Sequence, residues 1–451
     1  MSKTKHPNST VSAAGLLADF PAFASARAEA APIAALRREA AARFAALGLP
    51  GREREDWKFA DLRPFAAAGW RPFAEQPSAP ATALAERLAA LPDLGGPRLV
   101  LVDGVYAPGL SRAASLPAGL AVAPLAAVDP ARLLAAGFGR LASHADAAFT
   151  ALSAAWWQGG LFLTIAPEAT FDAPIEIVHL ATGAAAGRML APRLLVEVGQ
   201  MGSAAIVERY LSADDAAHFT NAIGELSLAE GARLTHLKLL AENAAAWHIG
   251  ASHVHQAARS HYASREILLG GAMSRRELHL TLAGREASCE LNALYLGGGE
   301  QRHDLRTRVR HAVSDCQTRE LYKGILDGRA RGIFDGLIIV DQDAQKTDAR
   351  QTNRNLLLSP DATAYSLPRL EIYADDVKCT HGSTTGQISD EQLFYLCTRG
   401  FAAEAARALL TYAFASEIIE GIEPAALRRE LASALLARLP QSQSAQLEVD
   451  A

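Results

Sequence analysis

The sequence predicts a mainly β protein, a parallel β-helix core flanked by helical ends. Three observations carry this. Short β-type runs recur from Gly160 to Asp376, each bounded by Gly, Asp, Asn or Ser. Few helical patterns interrupt them, which excludes a doubly wound α/β sheet. About twenty such runs over roughly 215 residues leave a sandwich, a barrel or a solenoid, and their number favours the solenoid.

Residues 1–150 form the first part, helical or mixed. Ile33, Leu36, Ala40, Phe44 and Leu47 recur at helical intervals, and Gly48 and Pro50 end that helix. Proline-containing segments follow around Pro72 to Pro80, and Arg98 to Asp103 reads as a short strand.

Residues 151–388 form the β core. Its runs include Leu194 to Val198, Ala205 to Leu211, Glu225 to Ala229, Leu234 to Leu240, Leu278 to Leu282, Glu290 to Leu296, Gly336 to Val340 and Leu370 to Tyr373. Leu278, Leu280 and Leu282 alternate with His279 and Thr281, the pattern of a strand with one face inside. A glycine turn beside a small residue recurs near Gly202, Gly231 and Gly284, at irregular spacing. Asn353 and Asn355, next to Leu356–Leu358, suit stacked turns of a parallel β-helix.

Residues 389–451 form a helical end. Ser389-Asp390-Glu391-Gln392 carries capping side chains before an apolar run, and Arg399-Gly400 stops it. Helices follow over 403–419 and 424–439, the second with Pro424 early in it. Gln441 to Ala451 reads as a loose tail.

Half of the 451 residues are hydrophobic and 21% are charged, enough to bury a large core. The net charge is −5 and the pI about 6.2, which argues against nucleic acid as a partner. Arg302, Arg306, Arg308 and Arg310 cluster locally and read as a solvated strand face. No uncharged apolar stretch reaches about 18 residues, so no membrane span is expected. The four cysteines, Cys289, Cys316, Cys379 and Cys397, form no C-x-x-C pair and suit a reducing compartment. Met1 to Thr10 is polar and shows no export signal. The reading is a cytoplasmic protein. No phosphate loop of the type G-x-x-x-x-G-K-[ST] is present, so any ATP hydrolysis would have to come from another chain.

The most informative segment runs from Lys346 to Gly400. Within it stands Cys379-Thr380-His381. On a strand, residues two apart face the same side, with Cα atoms roughly 6.5 to 7 Å apart. A thiolate and an imidazole would then share one small volume, a pairing that suits iron, zinc or an iron–sulfur unit. Two donors are half of a tetrahedral set. The rest must come from elsewhere in the chain, from sulfide or from a partner. The alternative is a buried cysteine and a surface histidine with no ligand role.

The same segment resembles the SufB/SufD family of iron–sulfur cluster assembly scaffolds, and its SufD branch over its SufB branch. The residues that carry this are Lys346 to Gln351, Leu356 to Ser359, Pro368 to Ile372, Ala374 to Gly382, and Gln392 to Leu396 with Arg399-Gly400. Glu55-Asp56-Trp57-Lys58-Phe59 resembles the family's N-terminal signature, and Trp156 to Gly160 is a thinner landmark. The resemblance implies a right-handed parallel β-helix and a non-catalytic scaffold. It implies partnership with a SufB-like paralogue and a SufC-like ABC ATPase, the latter docking near Phe401 to Ile419. It implies a transient iron–sulfur cluster shared with the paralogue, with His381 matching a histidine implicated at that interface and Cys379 its neighbour. It further implies homodimers when the chain is isolated. A flavin accompanies some complexes of this family, and no motif here requires one.

Other residues carry weaker signals. His253 and His255, with His261 after them, could bind metal but read better as outward positions on a solenoid. His303, Asp304 and His311 lack a nucleophile. Trp57 reads as a packing anchor. Two further functional readings are a purely structural subunit without cluster ligands, and a β-helix carbohydrate-active enzyme using Asp341, Asp343 and Asp348.

Overall fold

A computed structural model describes residues 10–27, 29–72, 81–113 and 115–438. The polar start, the proline-rich stretch 73–80 and the tail 441–451 lie outside these residues.

The core is a parallel β-helix built from two sheets. Successive strands alternate between the sheets, so neighbours within a sheet are next-but-one along the chain. The first sheet runs from Gly160–Ile165 through Trp247–Gln256, Met273–Leu282, Arg302–His311 and Arg331–Val340 to Thr363–Ile372. The second runs through Ser203–Ser212, Arg233–Ala241, His261–Leu268, Ser288–Gly297, Gln317–Leu326 and Asp348–Leu357 to Lys378–Gly386.

Alternation in sequence becomes columns in space. Leu280 pairs with Val254 on one side and Val309 on the other, and the column continues through Leu163, Val196, Leu226, Ile338 and Leu370. All but the last are buried. Like side chains stack on one another at the parallel strand spacing, about 4.8 Å, and form one buried core.

One corner repeats at every turn. Met201, Gly231, Arg259, Glu286, Asp315 and Lys346 all take positive φ, between 55° and 68°. Met201 N–H donates to Glu230, Gly231 to Ala258, Arg259 to Arg285, Asp315 to Gln345 and Lys346 to Asp376, each bond reaching the next turn. Gly202, Ala232, Ser260, Ala287, Cys316 and Thr347 follow the left-handed residue, and all six are buried small side chains. Only one of the six left-handed positions is glycine, which is why the repeat looked irregular in sequence.

The expected strands all occur, but most are longer than their apolar runs. Met273–Leu282, for example, begins five residues before Leu278 because Arg275 and Arg276 are buried in ion pairs rather than solvated. The Arg302–Arg310 reading is corrected in the same way. Arg308 and Arg310 are exposed, but Arg306 is buried between Asp304 and Asp335.

The two ends differ. At the N-terminal end, antiparallel strands Leu120–Pro124 and Val105–Tyr106 border the two sheets. Helix α1 (Ala31–Leu47) packs on α2 (Ala148–Trp156), with buried Arg37 donating to the carbonyls of Ala155 and Trp157. Trp57 lies against Phe149 and under the Arg275 guanidinium, 3.6 Å from its ring centre, and so anchors this region to the first sheet. At the C-terminal end, α3 (Asp390–Thr398) is capped by Ser389 as expected. Helices α4 (Ala403–Ile419) and α5 (Ala425–Leu436, with Pro424 as its cap residue) fold back over the outer face of the second sheet. There Ala415, Ile418, Leu427 and Leu431 meet Leu237, Ile267, Leu294 and Ile325.

Replacing Leu280 by Ala opens a hole in the longest column. It is expected to destabilise by about 2–5 kcal/mol, against under about 0.5 kcal/mol for Thr281→Ala on the outer face. Urea midpoints followed by circular dichroism check the difference.

Candidate functional site

The C-terminal end of the β-helix is open. Thr363–Ile372 and Lys378–Gly386 each pair on one side only. Ile372 and Tyr373 are exposed there, Tyr373 at 63%. A strand edge left this way presents a row of peptide groups free to pair with another chain.

Cys379 and His381 lie on that last strand, in the extended conformation that a shared face supposes. Cys379 pairs with Ala349 and His381 with Gln351. Cys379 therefore tops the inward column Leu234, Tyr262, Cys289, Thr318, Ala349. It is half-buried and packs on the core. His381 tops the next inward column, Ser264, Leu291, Glu320, Gln351, and is exposed because no rung lies above it. Burial pushes the Cys379 thiol up, against a hydrogen bond from the Ala349 backbone. Among the described residues no group of three or more His, Cys, Asp or Glu side chains is arranged to hold a metal ion.

Deeper in the same interior lies a charged cluster absent from the sequence reading. Lys238 Nζ stands 2.6 Å from Glu208, and His236 and His179 hydrogen-bond the same carboxylate. Burial alone would raise Glu208, but Lys238 and the two imidazoles outweigh it and hold it well below its ordinary range. Arg276 pairs with Glu266 beside it. Nearer the open end, Glu320 accepts hydrogen bonds from Thr307 and Gln351. The signal for these residues was their parity: within each strand they sit an even number of positions from the inward apolar ones.

The other candidates separate. His253 points outward and stacks on His279 with ring centres 4.7 Å apart, while His261 is on the other sheet and bonds Ser288. His303 and His311 point inward and bond Leu296 O and Thr318 Oγ1, both at 2.8 Å. Burial lowers both imidazoles to about 4. Asp304 points the other way, to Arg275 and Arg306. Asp341 is paired with Arg310 and Asp348 with Arg319.

Helix α3 buries none of its residues, and Phe394 is 71% and Tyr395 56% exposed. With Phe401 they form an apolar group at the start of the C-terminal helices.

Treatment of the native protein with iodoacetamide is expected to leave Cys289 and Cys316 unmodified, since both are buried and their thiols are raised. Cys379 is expected to react several-fold more slowly than free cysteine at about pH 8. Because its thiol is raised, its rate should still climb above pH 9, as peptide mass spectrometry would show.

Known proteins match most of this chain. Residues 179–414 match the SufBD core domain of SUF system FeS cluster assembly, and residues 24–177 match the SufBD protein N-terminal region. The iron–sulfur cluster assembly protein SufD of Escherichia coli is 32% identical over 87% of this chain and 90% of its own length. An iron–sulfur cluster assembly SufBD family protein of Synechocystis is 31% identical over 88% of both chains. A SufBD family protein of Mycobacterium tuberculosis is 30% identical over 62% of this chain and 71% of its own. The chain belongs to the SufBD family of the SUF system for iron–sulfur cluster assembly.

Proposed function

We propose that this chain is the SufD-like half of a scaffold whose other half, a SufB-like paralogue, closes the open end of the β-helix. The observation that carries this is the unpaired last strand with Cys379 and His381 on its inward face. A second parallel β-helix brought edge to edge would satisfy its peptide groups, cover Ile372 and Tyr373, and remove water from the imidazole. The cluster is cargo at that junction. His381 offers a neutral ring nitrogen to iron, and sulfide and partner side chains complete the set. Isolated chains would use the same edge to form homodimers.

A SufC-like ABC ATPase docks on the C-terminal helices, through the region from Phe394 to Ile419. Exposed Phe394, Tyr395 and Phe401 suit that contact. In this reading 1–150 anchors, 151–388 holds the cluster edge and 389–451 receives the motor. The chain itself is a non-catalytic scaffold, and the work is cytoplasmic. Among the described residues no helix is long and apolar enough to cross a membrane.

A second reading applies to Cys379 alone. Its half-burial against the core favours a packing role, with His381 the only ligand from this chain.

His381→Ala, co-produced with the SufB-like and SufC-like partners, is expected to assemble normally. Iron and sulfide bound to the purified complex should fall about tenfold, in line with loss of a ligand contact. Unchanged iron and sulfide would remove His381 from the site.

A further inference from the structure

The column beneath His381 is polar where a β-helix interior is ordinarily apolar. Gln351 is the next residue below it, with its Cα about 4.8 Å away across the parallel ladder. Glu320 is one rung further in. Both are buried, Gln351 at 1% and Glu320 at 3% exposure.

Their bonds give the pair a direction. Gln351 Nε2 donates to Glu320 Oε2 at 3.0 Å, and Thr307 Oγ1 donates to the same oxygen at 3.0 Å. The amide is therefore pinned by its NH2 end. The opposite sheet leaves room for it: a Cβ on Gly336 would stand 2.3 Å from Gln351 Nε2, so a larger residue there would displace the amide. The carbonyl end, Gln351 Oε1, is buried and accepts nothing. A buried carbonyl without a donor is costly, and such groups call for an explanation.

A histidine that binds a metal through one ring nitrogen ordinarily donates its other N–H to a carbonyl or carboxylate, which fixes tautomer and ring orientation. The nearest inward rung to His381 supplies a pinned carbonyl lacking a donor. We propose that Gln351, held by Glu320 and Thr307, is a positioning residue that accepts the imidazole N–H of His381 when the partner closes the β-helix and the cluster is bound. This rests on the reading of His381 as a cluster ligand. In the open chain His381 is exposed and water can take that N–H.

Glu320 serves as an acceptor in this arrangement, not as a charge. Burial pushes its carboxyl up to about 7, against the hydrogen bonds from Gln351 and Thr307. A neutral side chain of the same shape is thus compatible with the site, and glutamine is its conservative replacement.

The test uses the full chain in complex with its SufB-like and SufC-like partners, supplied with ferrous iron and sulfide. Gln351→Met keeps length and removes the carbonyl. The complex should still form, and cluster yield should fall about tenfold, the range for loss of a group behind a metal ligand. Pulsed electron paramagnetic resonance of the reduced cluster should show an altered coupling to the remote imidazole nitrogen, which a merely structural role would not change. Glu320→Gln should restore a wild-type spectrum and yield, since a carboxamide oxygen still accepts from Gln351 and Thr307. Should Gln351→Met fail to fold, Glu320→Met, which frees the amide without removing it, carries the same readouts. Normal yield and unchanged nitrogen coupling in Gln351→Met, or in Glu320→Met where that variant stands in, would overturn the proposal. Loss in His381→Ala without loss in Gln351→Met would sink this inference alone. Unchanged iron and sulfide in His381→Ala would instead sink the reading of the ligand.

Discussion

A parallel β-helix cannot satisfy its own ends. Every interior strand shares its peptide groups with two neighbours, but the first and last have only one each. In this protein the first end is bordered by antiparallel strands and a helical region anchored through Trp57 and Arg275. The last is left bare. The exposure of His381, Ile372 and Tyr373 follows from that asymmetry, and the proposal of a second chain at this end rests on it.

The interior is set by the same ladder. Register carries each side chain to the next rung, so one polar residue tends to require another above or below it. Glu208, Lys238 and Glu266 form one such inward stack, and Glu320 and Gln351 another. Between them, Leu278, Leu291, Ala293 and Leu305 are buried and apolar. Ion pairs of this kind are weak evidence for stability, because desolvation offsets much of the attraction. Their value here is in fixing register: a slip by one rung would leave Lys238 or Arg276 buried without a carboxylate.

Much of this was readable in the sequence where apolar residues alternate. Leu278, Leu280 and Leu282 were seen as one buried face, and they are. The charged halves of the strands were not, because Arg275, Arg276 and Arg306 look solvated until their partners on neighbouring strands, Asp304, Glu266 and Asp335, are known. The corners escaped for a different reason. Their left-handed positions are held by Met201, Arg259, Glu286, Asp315 and Lys346, which no glycine pattern reveals. At the site, the spacing of Cys379-Thr380-His381 put both side chains on one face if the segment were a strand, which it is. Gln351 and Glu320 were not, since only the pairing register shows that they share His381's column.

The central claim is that a partner strand completes the edge at Lys378–Gly386. Hydrogen–deuterium exchange of that segment, in the chain alone and in the complex with its SufB-like partner, tests it most directly. The account expects its amides to exchange fast in the chain alone and to become protected on complex formation, together with those of Thr363–Ile372. Equal exchange in both states, with the complex formed, would contradict it.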